Sequence, residues 1–91
     1  MSEPLYRRHP DLRLTSLEGE GVALHLRDRR YFSMNETGLT LLEALKEPRT
    51  FPQLVEAILA EYDVTPEIAA ATTREFLDRC LSTAVVLEEA P

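Results

Sequence analysis

The residues able to do covalent or metal chemistry are few and scattered. Histidine occurs only at positions 9 and 25, and the single cysteine is Cys80. A metal centre needs ligands clustered at fixed spacing. These three are spread along the chain, so no metal or other cofactor is expected. A nucleophilic serine or cysteine needs an adjacent base. Cys80 instead falls on an apolar helical stripe, where cysteine behaves as a small hydrophobe. Glycine occurs three times, at 19, 21 and 38, with no phosphate-loop or dinucleotide fingerprint. The expectation is a protein that recognises and does not catalyse.

Ninety-one residues, 44% hydrophobic and 29% charged, make one globular domain over 1–91. The net charge is −6 and unevenly spread. Residues 1–34 carry six arginines against five acids, and residues 35–91 four basic residues against eleven acids. An acidic chain gains little from phosphate neutralisation, which argues against a nucleic-acid partner. The one basic spot is Arg27, Arg29 and Arg30, which also suits a solvated turn. A lone cysteine makes no internal bridge and fits a reducing compartment. No apolar run approaches the ~20 residues a bilayer requires, and no secretory segment is read at the N-terminus. A soluble cytoplasmic protein is expected, with no membrane contact.

The elements that must position any binding site follow from periodicity. Leu12–Leu17 and Val22–Leu26 alternate apolar and polar residues, and Arg30–Met34 has β-like composition. Alternation puts Val22, Leu24 and Leu26 on one face. Glu18-Gly19-Glu20-Gly21 and Arg27-Asp28-Arg29 supply the turns, predicting a three-stranded antiparallel sheet over about 10–34. From Asn35 the period becomes helical, and three helices are predicted over about 35–83. Asn35 precedes the stripe Leu39, Leu42, Leu45; Thr50 and Gln53 have capping-box spacing; Thr65-Pro66-Glu67 opens the third helix. Ile68, Thr72, Phe76 and Cys80 form that helix's core stripe. Ala84–Leu87 packs back on the core, and 88–91 is read as a flexible tail. Strands first and helices after them define an α+β fold, a winged helix-turn-helix.

A three-stranded meander leaves two edges whose backbone groups must be covered, charged or used. In the third strand Phe32 and Met34 share one face, and Tyr31 and Ser33 the other. Such an edge suits a guest strand, whose main chain supplies affinity and whose side chains enter flanking pockets. Tyr31 serves equally well as simple cover for the sheet.

Several stretches resemble PqqD-like proteins. Arg30-Tyr31-Phe32-Ser33-Met34-Asn35-Glu36-Thr37-Gly38, followed by Leu41-Leu42-Glu43-Ala44-Leu45, is similar to the family's strand-to-helix signature. Arg49-Thr50-Phe51, Leu54-Val55, Leu59 and Tyr62-Asp63-Val64 resemble its second helix. Phe76-Leu77, Leu81 and Val85-Val86 resemble its end. Met34 stands where leucine is usual, and Cys80 and Ala84 replace a leucine and a glycine. The resemblance covers about residues 10–87 and implies a RiPP recognition element, which binds the leader of a ribosomally made precursor peptide. There the leader adds antiparallel to the third strand and lies against the third helix. The opening His9-Pro10-Asp11-Leu12-Arg13 looks most like the free-standing leader-binding proteins of lasso-peptide pathways. Their partner is a separate leader-cleaving cysteine protease or other maturation enzyme.

Carried onto this chain, the resemblance implies that the guest pairs with Arg29, Arg30, Tyr31, Phe32 and Ser33. On the third helix Arg74, Leu77, Asp78 and Leu81 fall on one stripe. Tyr31, Leu77 and Leu81 are expected to form an apolar pocket, with Arg30, Arg74 and Asp78 as its charged rim. Leu77 and Leu81 also suit ordinary core positions. The chain is expected to act as a monomer or weak dimer. The competing readings are a leader-binding chaperone for a radical-SAM maturase of the pyrroloquinoline quinone type, a winged-helix DNA-binding protein, and a dimer paired through the third strand.

Overall fold

Each helix begins where a side chain can replace a missing backbone partner. In the computed structural model, which describes residues 3–17 and 20–89, α1 (Glu36–Ala44) starts after Asn35, whose Oδ1 accepts from the Gly38 N–H at 2.9 Å. Helix α2 (Phe51–Glu61) carries a complete capping box: Gln53 N–H donates to Thr50 Oγ1, and Thr50 N–H to Gln53 Oε1. Helix α3 (Pro66–Ser82) is capped by Thr65, with Pro66 at its first position. All three starts are those read from the sequence.

Eight elements follow in the order β1 (Leu5–Arg8), β2 (Leu12–Leu17), β3 (Glu20–His25), β4 (Arg30–Met34), α1, α2, α3 and β5 (Val86–Glu89). Strands β2, β3 and β4 form the expected antiparallel sheet in that spatial order, with Leu12 opposite His25 and His25 opposite Arg30. The fold is therefore α+β, with the expected three-stranded sheet and three helices. Of the turn expected over Glu18-Gly19-Glu20-Gly21, Glu20 and Gly21 already belong to β3, while Glu18 and Gly19, like the last two residues of the tail, lie outside the described residues.

A second sheet was not expected. Strands β1 and β5 pair antiparallel, from Leu5 opposite Glu89 to Arg8 opposite Val86. Glu88 and Glu89 thus belong to a strand, not to a flexible tail. On its other side, Tyr6 exchanges backbone hydrogen bonds with Arg49 at 2.8 and 2.9 Å. This seats Tyr6 in the core beside Leu41, Leu42, Leu54, Ile58 and Val86.

The inner face of the main sheet also differs from the expectation. Gly21, Ala23 and His25 are buried, while Val22 and Leu24 are half-buried and Leu26 is exposed. The cause is the close approach of α1. A Cβ on Gly21 would lie 2.8 Å from Leu39 Cδ1 and 3.1 Å from Leu39 Cβ. Small residues must face the helix there, so the larger apolar ones turn outward.

Helix α3 ends in a Schellman turn: Val85 N–H donates to the Cys80 carbonyl at 2.9 Å, and Ala84 N–H to that of Leu81 at 3.3 Å. Ala84 takes φ 59°, the geometry a glycine would favour. On α3 itself Ala69, Thr73, Phe76, Leu77 and Cys80 are buried. Ile68, expected in the core stripe, is 53% exposed. Among the described residues, no helix is long and apolar enough to cross a membrane.

Candidate functional site

Among the described residues strand β4 pairs with β3 alone and so forms an edge of the main sheet. Alternate residues of an edge strand direct their N–H and C=O groups away from the sheet, free to pair with another chain. The hairpin before it is fixed by Arg29, which takes φ 56° and donates its N–H to the His25 carbonyl at 2.7 Å. Arg30, Tyr31 and Ser33 are exposed, Phe32 is half-buried and Met34 is buried. The Arg30 guanidinium sits 5.7 Å from the Phe32 ring centroid, covering one side of it.

Beside the end of β4 lies a cleft of about 260 Å³. One side is the β4–α1 junction, where Met34, Thr37 and Gly38 line it and Leu41 lies deeper. The other side is α3, through Thr72, Glu75, Phe76 and Arg79. Gly38 keeps the junction tight, since a Cβ there would stand 3.3 Å from Met34 Sδ. The floor is apolar, with Met34 and Phe76 each 8% exposed. Glu75 and Arg79, exposed and four residues apart on α3, put opposite charges at the rim. An extended peptide along β4 thus has a main-chain partner, an apolar floor and a mixed-charge border.

The residues expected at the site divide into two groups. Arg30, Tyr31, Phe32 and Ser33 lie together on the β4 edge, with Arg29 in the turn just before it. The α3 residues do not join them. Leu77 is 1% exposed within the core, and Leu81 packs against that core from its margin. The Arg74 guanidinium stacks 4.5 Å from the Phe51 ring centroid, at the start of α2. Arg74 and Asp78 act electrostatically on Tyr6, whose phenol is pushed up by burial first and by Glu88 next. They face β1 and α2, not β4. Tyr31, 73% exposed, points to the sheet face opposite Phe32 and Met34. The pocket expected from Tyr31, Leu77 and Leu81, rimmed by Arg30, Arg74 and Asp78, is therefore not formed.

The α3 residues that do line the cleft are spaced i, i+3, i+4 and i+7 from Thr72. The sequence shows that spacing, but there Thr72 and Phe76 read as core, and the stripe of Arg74, Leu77, Asp78 and Leu81, on the far side of the helix, reads as the groove. At about 100° per residue, Arg79 lies 200° around the helix from Leu77.

The remaining reactive groups are placed for packing. Burial pushes the Cys80 thiol up to about 11. The His9 and His25 rings meet tilted by 50°, with centroids 4.4 Å apart, and His9 Nδ1 accepts from the Asp11 N–H.

Residues 20–86 match the family model of coenzyme PQQ synthesis protein D (PqqD). This chain belongs to the PqqD family. The match bears out the resemblance to PqqD-like RiPP recognition elements read in the sequence. The PqqD-like chain is also similar to a solved structure of TbiB1 in complex with the TbiA(beta) leader peptide. There the identity is 25% and the TM-score 0.79, over 93% of this chain and 99% of that one. A structure of lasso peptide synthetase B1 complexed with its leader peptide shares the fold at 17% identity and TM-score 0.74, over 90% of this chain and 96% of that one. No curated protein matches the sequence.

Proposed function

We propose that this PqqD-like chain binds the leader of a ribosomally made precursor peptide and presents it to a separate maturation enzyme. The leader adds as an antiparallel strand to β4, pairing along Arg29–Ser33, and one of its apolar side chains enters the cleft against Thr72, Phe76 and Arg79. The observation that carries this reading is the open edge of β4 next to an apolar-floored cleft. The two similar structures, both leader-peptide complexes, support it. The sequence resemblance to lasso-type leader-binding proteins favours a leader-cleaving cysteine protease as the enzyme served, and the chain itself performs no chemistry. Tyr31 contacts the guest from the outer face of the sheet, and Leu77 supports the cleft from behind, within the core.

Amide exchange with and without a cognate leader tests the pairing. Protection should rise along Arg29–Ser33, and unchanged exchange there would sink the proposal. Thr72→Arg, at a half-buried cleft position, fills the groove and should weaken leader binding at least about tenfold, the loss expected of a blocked hot spot. Tyr31→Ala, on the other face, should cost less. A processing assay with the leader-cleaving protease, run against one with a radical-SAM maturase, identifies the enzyme served.

A further inference from the structure

Helix α1 separates two clefts. The leader cleft lies at its N-terminal end; a second, of about 350 Å³, opens at its C-terminal end between β1, the start of β2 and the segment after α1. Nine residues of rise put the two ends about 13 Å apart. The second cleft is lined by Arg7, Arg8, His9, Arg13 and Lys46, and by no aspartate or glutamate among the described residues. In a chain of net charge −6 this is a concentrated positive surface.

Structural duties account for part of that charge. Arg7 pairs with Glu89, and Arg8 donates to the Leu42 carbonyl at 3.2 Å, near the end of α1. They do not account for Arg13 or Lys46. Both are exposed, Arg13 reaches only the Leu12 carbonyl, and neither has a carboxylate partner among the described residues.

The sheet register gives the cleft a place relative to the guest. Leu12, His25 and Arg30 form one row across β2, β3 and β4, about 10 Å long at two strand spacings. A guest antiparallel to β4 has its C-terminal end at Arg30, so it leaves the sheet at that row. The basic cleft begins at the row's other end, with Leu12 and Arg13.

We propose that the basic cleft docks an acidic, carboxylate-bearing segment of the maturation enzyme, beside the point where the precursor leaves β4. This rests on the leader-binding reading above. Arginine forks suit carboxylates in a confined cleft. A nucleic acid would have to continue over the acidic remainder of the surface.

The test is an NMR titration of the isotope-labelled full chain with a hexaglutamate peptide, a hexaglutamine peptide, inorganic phosphate and a short DNA duplex. Hexaglutamate should shift the amides of His9, Arg13 and Lys46 at low salt, and at about 0.3 M salt the effect should fade. Hexaglutamine should do nothing. The double variant Arg13→Glu/Lys46→Glu should bind hexaglutamate at least about tenfold more weakly while binding leader within about twofold of the parent. Unchanged hexaglutamate binding in that variant overturns the proposal. So does tighter binding of DNA, or phosphate binding the same amides as tightly as the peptide. Should the parent bind hexaglutamate as stated but no leader, the leader reading fails and the acidic-segment site stands.

Discussion

Ala84 closes α3 in a conformation that side chains resist. At φ 59° its Cβ crowds the neighbouring carbonyl, a clash worth about 1–2 kcal/mol. The chain accepts this because the turn satisfies two helix-end carbonyls and delivers Val85 and Val86, both fully buried, into the core. Glycine removes the clash, and its greater freedom in the unfolded chain returns part of the gain. Ala84→Gly should therefore raise stability by about 0.5–1 kcal/mol in urea unfolding. The departure from the family's glycine was visible in the sequence; that the turn keeps the glycine geometry regardless was not.

At the scale of elements, the docking of α1 on β3 is set by Gly21. Gly21→Ala forces Leu39 to move or the helix to lift, and overpacking of this kind costs about 1–3 kcal/mol. A lowered melting temperature, with unchanged helix content by circular dichroism, would confirm it. The same contact explains what the sequence concealed. Helix starts were legible because a cap is a local event: Asn35, Thr50 and Thr65 each bond a backbone N–H three residues on. The buried face of β3 was not, because apolar alternation pointed to Val22 and Leu24 while a helix contact elsewhere demanded small residues at Gly21 and Ala23. Helix α3 misled for a related reason. Its buried face, Ala69, Thr73, Phe76, Leu77 and Cys80, takes Phe76 from one flanking stripe and Leu77 from the other, so both stripes are partly apolar and composition does not say which one meets β4. The β1–β5 pair joins residues 78 to 84 positions apart, beyond the reach of any local signal.

For the whole molecule, the clearest pH dependence is alkaline. Burial raises both the Cys80 thiol, to about 11 from an ordinary value near 9, and the Tyr6 phenol. In the unfolded chain these groups ionise first, so the native state holds more protons as pH climbs. The Cys80 contribution to stability is fully present below about pH 9 and is lost as pH rises through about 11, and Tyr6 adds a loss of the same sign as pH passes above the ordinary phenol range. Urea melts between pH 8 and 11 should show the decline, and Cys80→Ala should flatten it.

Strands β1 and β5 have one more consequence. Because Leu5 stands opposite Glu89, the outer limbs formed by β1 and β5 lie side by side, about 5 Å apart. An enzyme tethered through either limb would be anchored at the same spot. Moving the tether from one limb to the other should leave its reach toward the bound precursor nearly unchanged.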